Sequence, residues 1–357
     1  SSIMRPTKGV HLVVDKSRLS VSQPTYFDTG RHDGRMVFVI PREEKTYFGT
    51  TDTDYTGDLT HPKVTQEDVD YLLEIINHQF PTSKIVIEDI EASWAGLRPL
   101  ISDNGGSDYN GGNNGTMSDE SFERIVESVT DYMNHTSTKE AVEKVIKSAD
   151  TSLSEKSNSS ISRGSRLEVD QRGLVTLAGG KITDYRLMAE GALALIEKLL
   201  TEKTGQTHPL VDSGNYPVSG GHFDSTKVEE AINQYAELAQ SRGINKTDSL
   251  FLANLYGSNT ETVLEFIEED IPGLSQAESM SLMYSLNHEM TLTPVDYLLR
   301  RTNYLLFMSD QLERMIEPIV NKMSEFFSWN DADYQKHVNE LDETINESSL
   351  TNLKKEK

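Results

Sequence analysis

Three basic side chains stand beside glycines at points where the chain passes from one element to the next. Arg98 follows a glycine-containing strand pattern, Arg163 precedes a glycine, and Lys181 lies in a glycine turn before a helical pattern. A guanidinium can hold phosphate or carboxylate through two parallel hydrogen bonds, and a helix N-terminus attracts negative charge. The pattern favours an anionic ligand. Each cation also has a simpler alternative, since Arg98 can pair with a carboxylate, and Arg163 and Lys181 can be solvated surface residues.

His11 is the residue best placed to act as a general base. It lies in the first strand-like run, residues 10–14, and a neutral imidazole can accept a proton near pH 7. Packing against neighbouring side chains is the commoner role of a strand histidine. Residues 52–57 begin like a calcium-binding loop, but Lys63 occupies the twelfth position, where the bidentate glutamate would stand. No metal site is predicted.

The elements that must position these residues are strands followed by helices. Residues 10–14, 36–40, 46–50 and 85–90 are apolar or β-branched runs, close enough together to favour antiparallel pairing. One helix interrupts them, beginning at a capping box of Thr65 and Asp68 and ending before Pro81. Residues 1–100 therefore predict a domain built on a mixed, largely antiparallel sheet with at least one helix.

The remaining chain divides into three parts. Residues 101–162 contain two glycine- and asparagine-rich stretches and are interpreted as an insertion. Residues 163–205 contain a buried-type strand (173–178), a glycine turn and a helix, which is half of a β-α unit. Residues 206–357 predict an all-α domain and carry 25 acidic against 11 basic residues. The predicted fold class is α+β.

The composition excludes several classes of protein. The net charge of -23 and the pI near 4.8 argue against nucleic-acid binding, which needs a dense cationic surface. Without cysteine there is no disulfide, thiolate nucleophile or iron–sulfur cluster. The sequence has no transmembrane segment and no signal-peptide pattern, so a cytoplasmic protein is expected.

Five motifs occur in an order that resembles a known family. They are RPTKGVHLVV (5–14), GTTDTD (49–54), WAGLRPL (94–100), GGKITDYR (179–186) and DYLLRRT (296–302). Together they resemble the FAD-dependent glycerol-3-phosphate oxidases and dehydrogenases, over essentially the whole chain. The insertion is similar to one found in the oxidase branch.

One departure from the family is the absence of a strand, Gly-x-Gly-x-x-Gly and helix, the element that holds the FAD diphosphate. The chain is therefore interpreted as a C-terminal portion, or truncated fragment, that is inactive alone. On the resemblance, residues 1–100 are the substrate-binding domain and residues 163–205 are a returning piece of the FAD domain.

The resemblance implies that the parent enzyme oxidises sn-glycerol 3-phosphate with O2 to dihydroxyacetone phosphate and hydrogen peroxide, using FAD. It implies His11 as the catalytic base and Arg98 and Arg163 as ligands of the substrate phosphate. The implied cofactor-binding residues are Gly179, Gly180, Lys181, Ile182 and Thr183.

Two alternatives stay open. The first is a quinone-linked glycerol-3-phosphate dehydrogenase, against which the insertion and the acidic tail both argue, since anionic lipid would repel that tail. The second is a non-catalytic binding module. A homo-oligomer is also possible.

Overall fold

A computed structural model of the chain describes residues 4–31, 34–101, 165–179 and 182–355, together with five single positions between 102 and 164. Most of the predicted insertion lies outside the described residues. So do three of the predicted site residues, Arg163, Gly180 and Lys181.

The first unit is a six-stranded sheet around one long central strand, β1 (Met4–Asp15). The other strands are β2 (Thr25–Asp28), β3 (Met36–Arg42), β4 (Lys45–Gly49), β5 (Thr53–Asp54) and β6 (Ile90–Ile101). The order is β2-β3-β4-β1-β6, and β5 pairs with the early part of β1, beyond β4. Every pair among the described strands is antiparallel, in agreement with the spacing of the runs.

Helix α1 (Gln66–Gln79) begins where the capping box predicted. The Thr65 hydroxyl accepts a hydrogen bond from the Asp68 backbone N–H, and the Asp68 carboxylate accepts one from the Thr65 N–H. The strand predicted at residues 85–90 is wrong. The Val86 N–H donates to the Asp89 carboxylate, which closes a 3-10 turn at Ile87–Asp89 and delays the strand until Ile90.

The two faces of the sheet belong to different cores. Val10, Leu12 and Val14 of β1 are fully buried against one side, where the apolar residues of α1 cover them. Val13 of β1 and Ala92 of β6 face the other way, into a core formed with the C-terminal helices. Because side chains alternate along a strand, successive residues of β1 pack into the α1 core and into the core of the C-terminal helices in turn.

The C-terminal unit is helical, as predicted. Helix α2 (Tyr185–Thr204) precedes this unit. The helices of the unit are α3 (Val228–Ser241), α4 (Lys246–Tyr256), α5 (Thr260–Val263), α6 (Gln276–His288), α7 (Tyr304–Phe307), α8 (Ser309–Phe327), α9 (Asp331–Ser348) and α10 (Thr351–Lys355). A π-helical segment, Asp296–Arg301, leads towards α7. Helices α7 and α9 contact β6, which links this unit to the sheet. None of the described helices is long and apolar enough to cross a membrane.

Between these units lie a hairpin and one long helix. Strands β7 (Ser165–Val169) and β8 (Val175–Gly179) pair antiparallel, and α2 (Tyr185–Thr204) follows. The prediction of a buried strand here is wrong, because Leu177 keeps 38% of its surface exposed and no residue of α2 is buried. Strand β8 and helix α2 otherwise lie in the predicted order, and the α+β class is confirmed.

Candidate functional site

Strands β1 and β6 present a row of polar residues around a pair of glycines. The register places Gly9 opposite Gly96, with His11 opposite Trp94 on one side and Thr7 opposite Arg98 on the other. Directly opposed residues of an antiparallel pair project from the same face. The best candidate base and the best candidate phosphate ligand therefore lie on one face of one strand pair.

The guanidinium of Arg98 is held by the turn that follows β4. Its Nη1 donates to the Thr51 carbonyl at 3.3 Å and to the Asp52 carboxylate at 3.2 Å, and its Nη2 donates to the Thr50 hydroxyl at 3.1 Å. Among the contacts of the described residues, this leaves the Nε–H and one Nη2 hydrogen of Arg98 for another acceptor. Arg98 is thus both paired with a carboxylate and equipped to hold an anion.

Gly9 is required for this placement of Arg98. A Cβ at Gly9 would stand 2.6 Å from Nη2 of Arg98 and 2.7 Å from the Thr50 hydroxyl oxygen. A Cβ at Gly96, the cross-strand partner, would have no heavy atom of the described residues within 4 Å. The guanidinium consequently lies over Gly9, and the surface above Gly96 is open.

His11 lies against an aromatic wall. Its ring stacks on Trp94 with a centroid distance of 4.8 Å and an interplanar angle of 11°, and Tyr47 lies 6.1 Å away. Burial, and then the positive charge of Arg98, lower the pKa of His11 to about 4. The imidazole is therefore neutral at pH 7, the form that can accept a proton.

Two buried polar atoms on this face have no hydrogen-bond partner in the described structure. They are Nδ1 of His11 and the hydroxyl oxygen of Thr7. Buried polar atoms are satisfied in the great majority of cases, so unpaired ones mark strain, catalysis or an absent ligand. Both flank Gly9 along β1.

Reasoning from the sequence missed four residues of this site. They are Thr7, Thr50, Asp52 and Trp94. Asp52 was considered only as a calcium ligand, whereas its carboxylate faces Arg98. The available signal was the motif GTTDTD, whose threonine hydroxyls and carboxylate are the groups that can hold an arginine.

The predicted cofactor residues lie at a different place. Gly179 ends β8, and Ile182 and Thr183 form an exposed 3-10 turn that leads into α2. Strand β8 contacts β6, the strand that carries Arg98. The described part of the turn therefore lies at the start of a helix and next to the strand pair, and the roles of Gly179, Ile182 and Thr183 stay a prediction.

Comparison with known proteins shows similarity to FAD-dependent oxidoreductases. Residues 1–114 match the family model of FAD dependent oxidoreductases, and residues 212–334 match the model of the C-terminal domain of alpha-glycerophosphate oxidase. A solved glycerol-3-phosphate dehydrogenase from Bacillus halodurans, complexed with FAD, is 30% identical with a TM-score of 0.74, over 97% of this chain and 57% of that one.

Closely similar relatives narrow the class. The chain is 58% identical to the alpha-glycerophosphate oxidase of Enterococcus casseliflavus and 55% identical to that of Streptococcus pyogenes serotype M1, over 98% of its length in both cases. These similarities confirm the resemblance to the FAD-dependent glycerol-3-phosphate oxidases and dehydrogenases that the five motifs carry.

The chain spans 58% of the length of each of these two relatives. The prediction that the chain is a truncated fragment is not confirmed by these matches.

Proposed function

We propose that the chain forms the substrate-binding and helical parts of a flavin-dependent oxidase. Its reaction converts sn-glycerol 3-phosphate and O2 into dihydroxyacetone phosphate and hydrogen peroxide. The observation that carries the proposal is the placement of the Arg98 guanidinium over Gly9, beside a neutral His11 on the same strand face. The names of the most similar relatives support the oxidase reaction.

The spacing of the two groups suits a small phosphate ester. Gly9 and His11 are two residues apart on β1, which is about 6.5 Å along a strand. In glycerol 3-phosphate the phosphorus is three bonds from C2, so the phosphate can meet Arg98 while the C2 hydroxyl faces His11. The free hydrogens of Arg98 provide charged hydrogen bonds to the phosphate, and His11 accepts the hydroxyl proton.

The residues present also fit a flavin. The open surface above Gly96 lets a flat ring approach the backbone, and the turn at Ile182 and Thr183 leads into the N-terminus of α2, where negative charge is favoured. By resemblance, Gly179, Gly180, Lys181, Ile182 and Thr183 would hold the cofactor. Bound FAD would supply the acceptor for the two electrons removed at C2 and pass them to oxygen.

The residues of the chain determine the rest of the reaction. Thr50, Thr51 and Asp52 hold Arg98 in position, and the aromatic wall beside His11 excludes water from one side of the imidazole. Arg163 is proposed as a second phosphate ligand on the resemblance alone. A pair of guanidinium groups matches the double negative charge of the phosphate.

A peroxidase-coupled assay tests the proposal. The sample is a FAD-loaded protein that contains this chain and has the full length of the matched oxidases. Peroxide is expected with glycerol 3-phosphate, and far less with glycerol at the same concentration. A folded, FAD-loaded protein that releases no peroxide would contradict the oxidase assignment. Comparing flavin reoxidation by O2 with reoxidation by a soluble quinone separates the oxidase from the quinone-linked dehydrogenase.

The division into parts belongs to the same proposal. We propose residues 1–100 as the substrate domain, 101–162 as an oxidase-type insertion, 163–205 as a piece of the FAD domain and 206–357 as the helical domain. The exposed apolar side chains of α2, among them Leu187 and Leu193, support a further cofactor-domain surface that covers this helix. A chain of residues 1–357 that purifies with bound flavin would contradict the idea that it is a non-catalytic module. Fractionation of the source cell tests the cytoplasmic location.

A further inference from the structure

A histidine that acts as a base is usually oriented through its second ring nitrogen. A hydrogen bond from Nδ1–H to a carboxylate or carbonyl fixes the tautomer and the ring angle. Nδ1 of His11 is buried and has no such partner in the described structure. Some other contact must hold the imidazole of His11 in place.

The contact available is the indole of Trp94. The two rings are nearly parallel, at 11°, with centroids 4.8 Å apart, across the directly opposed pair His11 and Trp94 of β1 and β6. One edge of the ring lies over Gly49, where an added Cβ would stand only 2.5 Å from Cδ2 of His11. One broad face of the imidazole is therefore covered by the indole, and one edge lies against the Gly49 backbone.

Trp94 is itself held by two other aromatic rings. Tyr47 of β4 lies 5.7 Å from it at 49°, and Phe307 of α7 lies 6.2 Å from it at 71°. Tyr47 and Phe307 also contact each other edge-on at 5.5 Å, and the guanidinium of Arg42 lies 4.2 Å from the Phe307 ring centroid. The indole is thus fixed from the sheet and from the helical unit together.

We infer that Trp94 is the positioning residue of His11: its stacked indole orients the imidazole in place of a hydrogen-bonded carboxylate. The inference rests on the proposed function, in which His11 is the base. A carboxylate partner would raise the basicity of the imidazole and favour its charged form. An indole orients the ring without adding negative charge. The charged or titratable groups beside His11 among the described residues are then Arg98 of β6 and Tyr47 of β4.

The chain contains a matched control for the stacking. Its second tryptophan, Trp329, stacks on His337 with a centroid distance of 4.2 Å and an angle of 28°, within the helical unit. Nuclear magnetic resonance of isotope-labelled histidine in the FAD-loaded protein reports both ring-current shifts. Trp94→Leu should move the His11 signals only, and Trp329→Leu should move the His337 signals only. His11 signals unchanged by Trp94→Leu would overturn the stacking.

Kinetics then test the positioning role. Trp94→Leu is expected to lower kcat by about 10- to 100-fold with KM changed less than about twofold, because a misplaced base acts on the chemical step. Trp94→Phe keeps an aromatic face and should recover most of the loss. Loss of the indole in Trp94→Leu should expose the imidazole to water and raise the pKa of His11. The acid limb of the kcat profile should then move to higher pH. Trp329→Leu should leave all three quantities unchanged.

The outcomes separate the inference from the proposed function. An inactive wild-type protein would contradict the function, while the histidine spectra would still report the stack. An active wild-type protein with an unchanged kcat in Trp94→Leu would overturn the positioning role. If Trp94→Leu does not fold, Phe307→Leu provides the comparison, because it removes one of the two rings that brace the indole and leaves Tyr47 in place. Changed His11 ring-current shifts in Phe307→Leu with a kcat equal to that of the wild type would overturn the positioning role, and unchanged shifts would contradict the bracing of the stack.

Discussion

Replacing Arg98 separates two proposed effects of its guanidinium, which are the binding of the substrate phosphate and the lowering of the pKa of His11. Arg98→Ala removes both its positive charge and its hydrogen-bonding fork, whereas Arg98→Lys keeps the charge and removes the fork. One charged hydrogen bond contributes about 1.5 to 3 kcal/mol, or about 10- to 150-fold in affinity. The Arg98 side chain is 27% exposed and already shares Asp52, so we expect the lower part of this range.

The expected KM for glycerol 3-phosphate in Arg98→Ala is thus about 10- to 50-fold above that of the wild type. The kcat at pH 7 should change much less. Burial is the first cause of the lowered pKa of His11, and Arg98 is the second. Removing Arg98 raises the pKa from about 4 but leaves it below the ordinary value of 6.5. His11 therefore stays neutral at pH 7.

The assay is peroxide release over a range of pH, with glycerol as the substrate that lacks phosphate. Arg98→Ala should move the acid limb to higher pH, and Arg98→Lys should leave it near that of the wild type while also raising KM. Glycerol turnover should respond little to either change. An unchanged KM in Arg98→Ala would remove this residue from the phosphate site, and an acid limb that moves to lower pH would refute the electrostatic coupling to His11.

Three further predictions concern neighbouring contacts. Asp52→Asn removes the negative charge that competes with a phosphate for the Arg98 guanidinium. The KM for glycerol 3-phosphate and the inhibition constant of inorganic phosphate should therefore both fall several-fold. A rise in either constant would contradict this. Gly9→Ala should raise KM because its Cβ displaces the guanidinium. Gly96→Ala should leave the melting temperature unchanged, since its Cβ meets no atom of the described residues within 4 Å. Arg314→Met should cost about 1 to 2 kcal/mol of stability at pH 7 in denaturant unfolding, because it unpairs the mostly buried Glu278. Burial raises the pKa of Glu278, but hydrogen bonds from Arg314 and from the Ser275 backbone together outweigh it, so the net pKa is lowered. The stability advantage of the wild type should therefore disappear as the pH falls through that pKa.

Local chemistry made part of the fold predictable. The capping box of Thr65 and Asp68 located α1 because both partners lie within one turn of the chain. The same kind of contact defeated the strand predicted at residues 85–90, since the hydrogen bond from Val86 to Asp89 competes with strand pairing. The apolar composition of residues 85–90 indicated ordered structure. It could not distinguish a strand from a 3-10 turn in so short a run.

The sequence indicated individual residues of the candidate site but not how they are arranged. His11 and Arg98 stand out in the sequence by type and by motif, and the structure brings them to one strand pair. Trp94 and Asp52 gain their meaning only from the register of β1 with β6 and from the turn after β4. Those pairings join segments more than 40 residues apart, so no local pattern encodes them.

Arg98 presents an apparent conflict, because the residue proposed to bind the substrate phosphate also lowers the pKa of His11, the proposed base. Its charge lowers the pKa of His11 in the free chain, and a general base works best with a pKa near the working pH. A bound phosphate dianion offsets the charge of Arg98, so the pKa of His11 should rise when substrate occupies the site. The acid limb of kcat, which reports the substrate complex, should therefore lie at higher pH than that of kcat/KM, which reports the free enzyme. Coincident limbs would mean that phosphate binding and the basicity of His11 are independent.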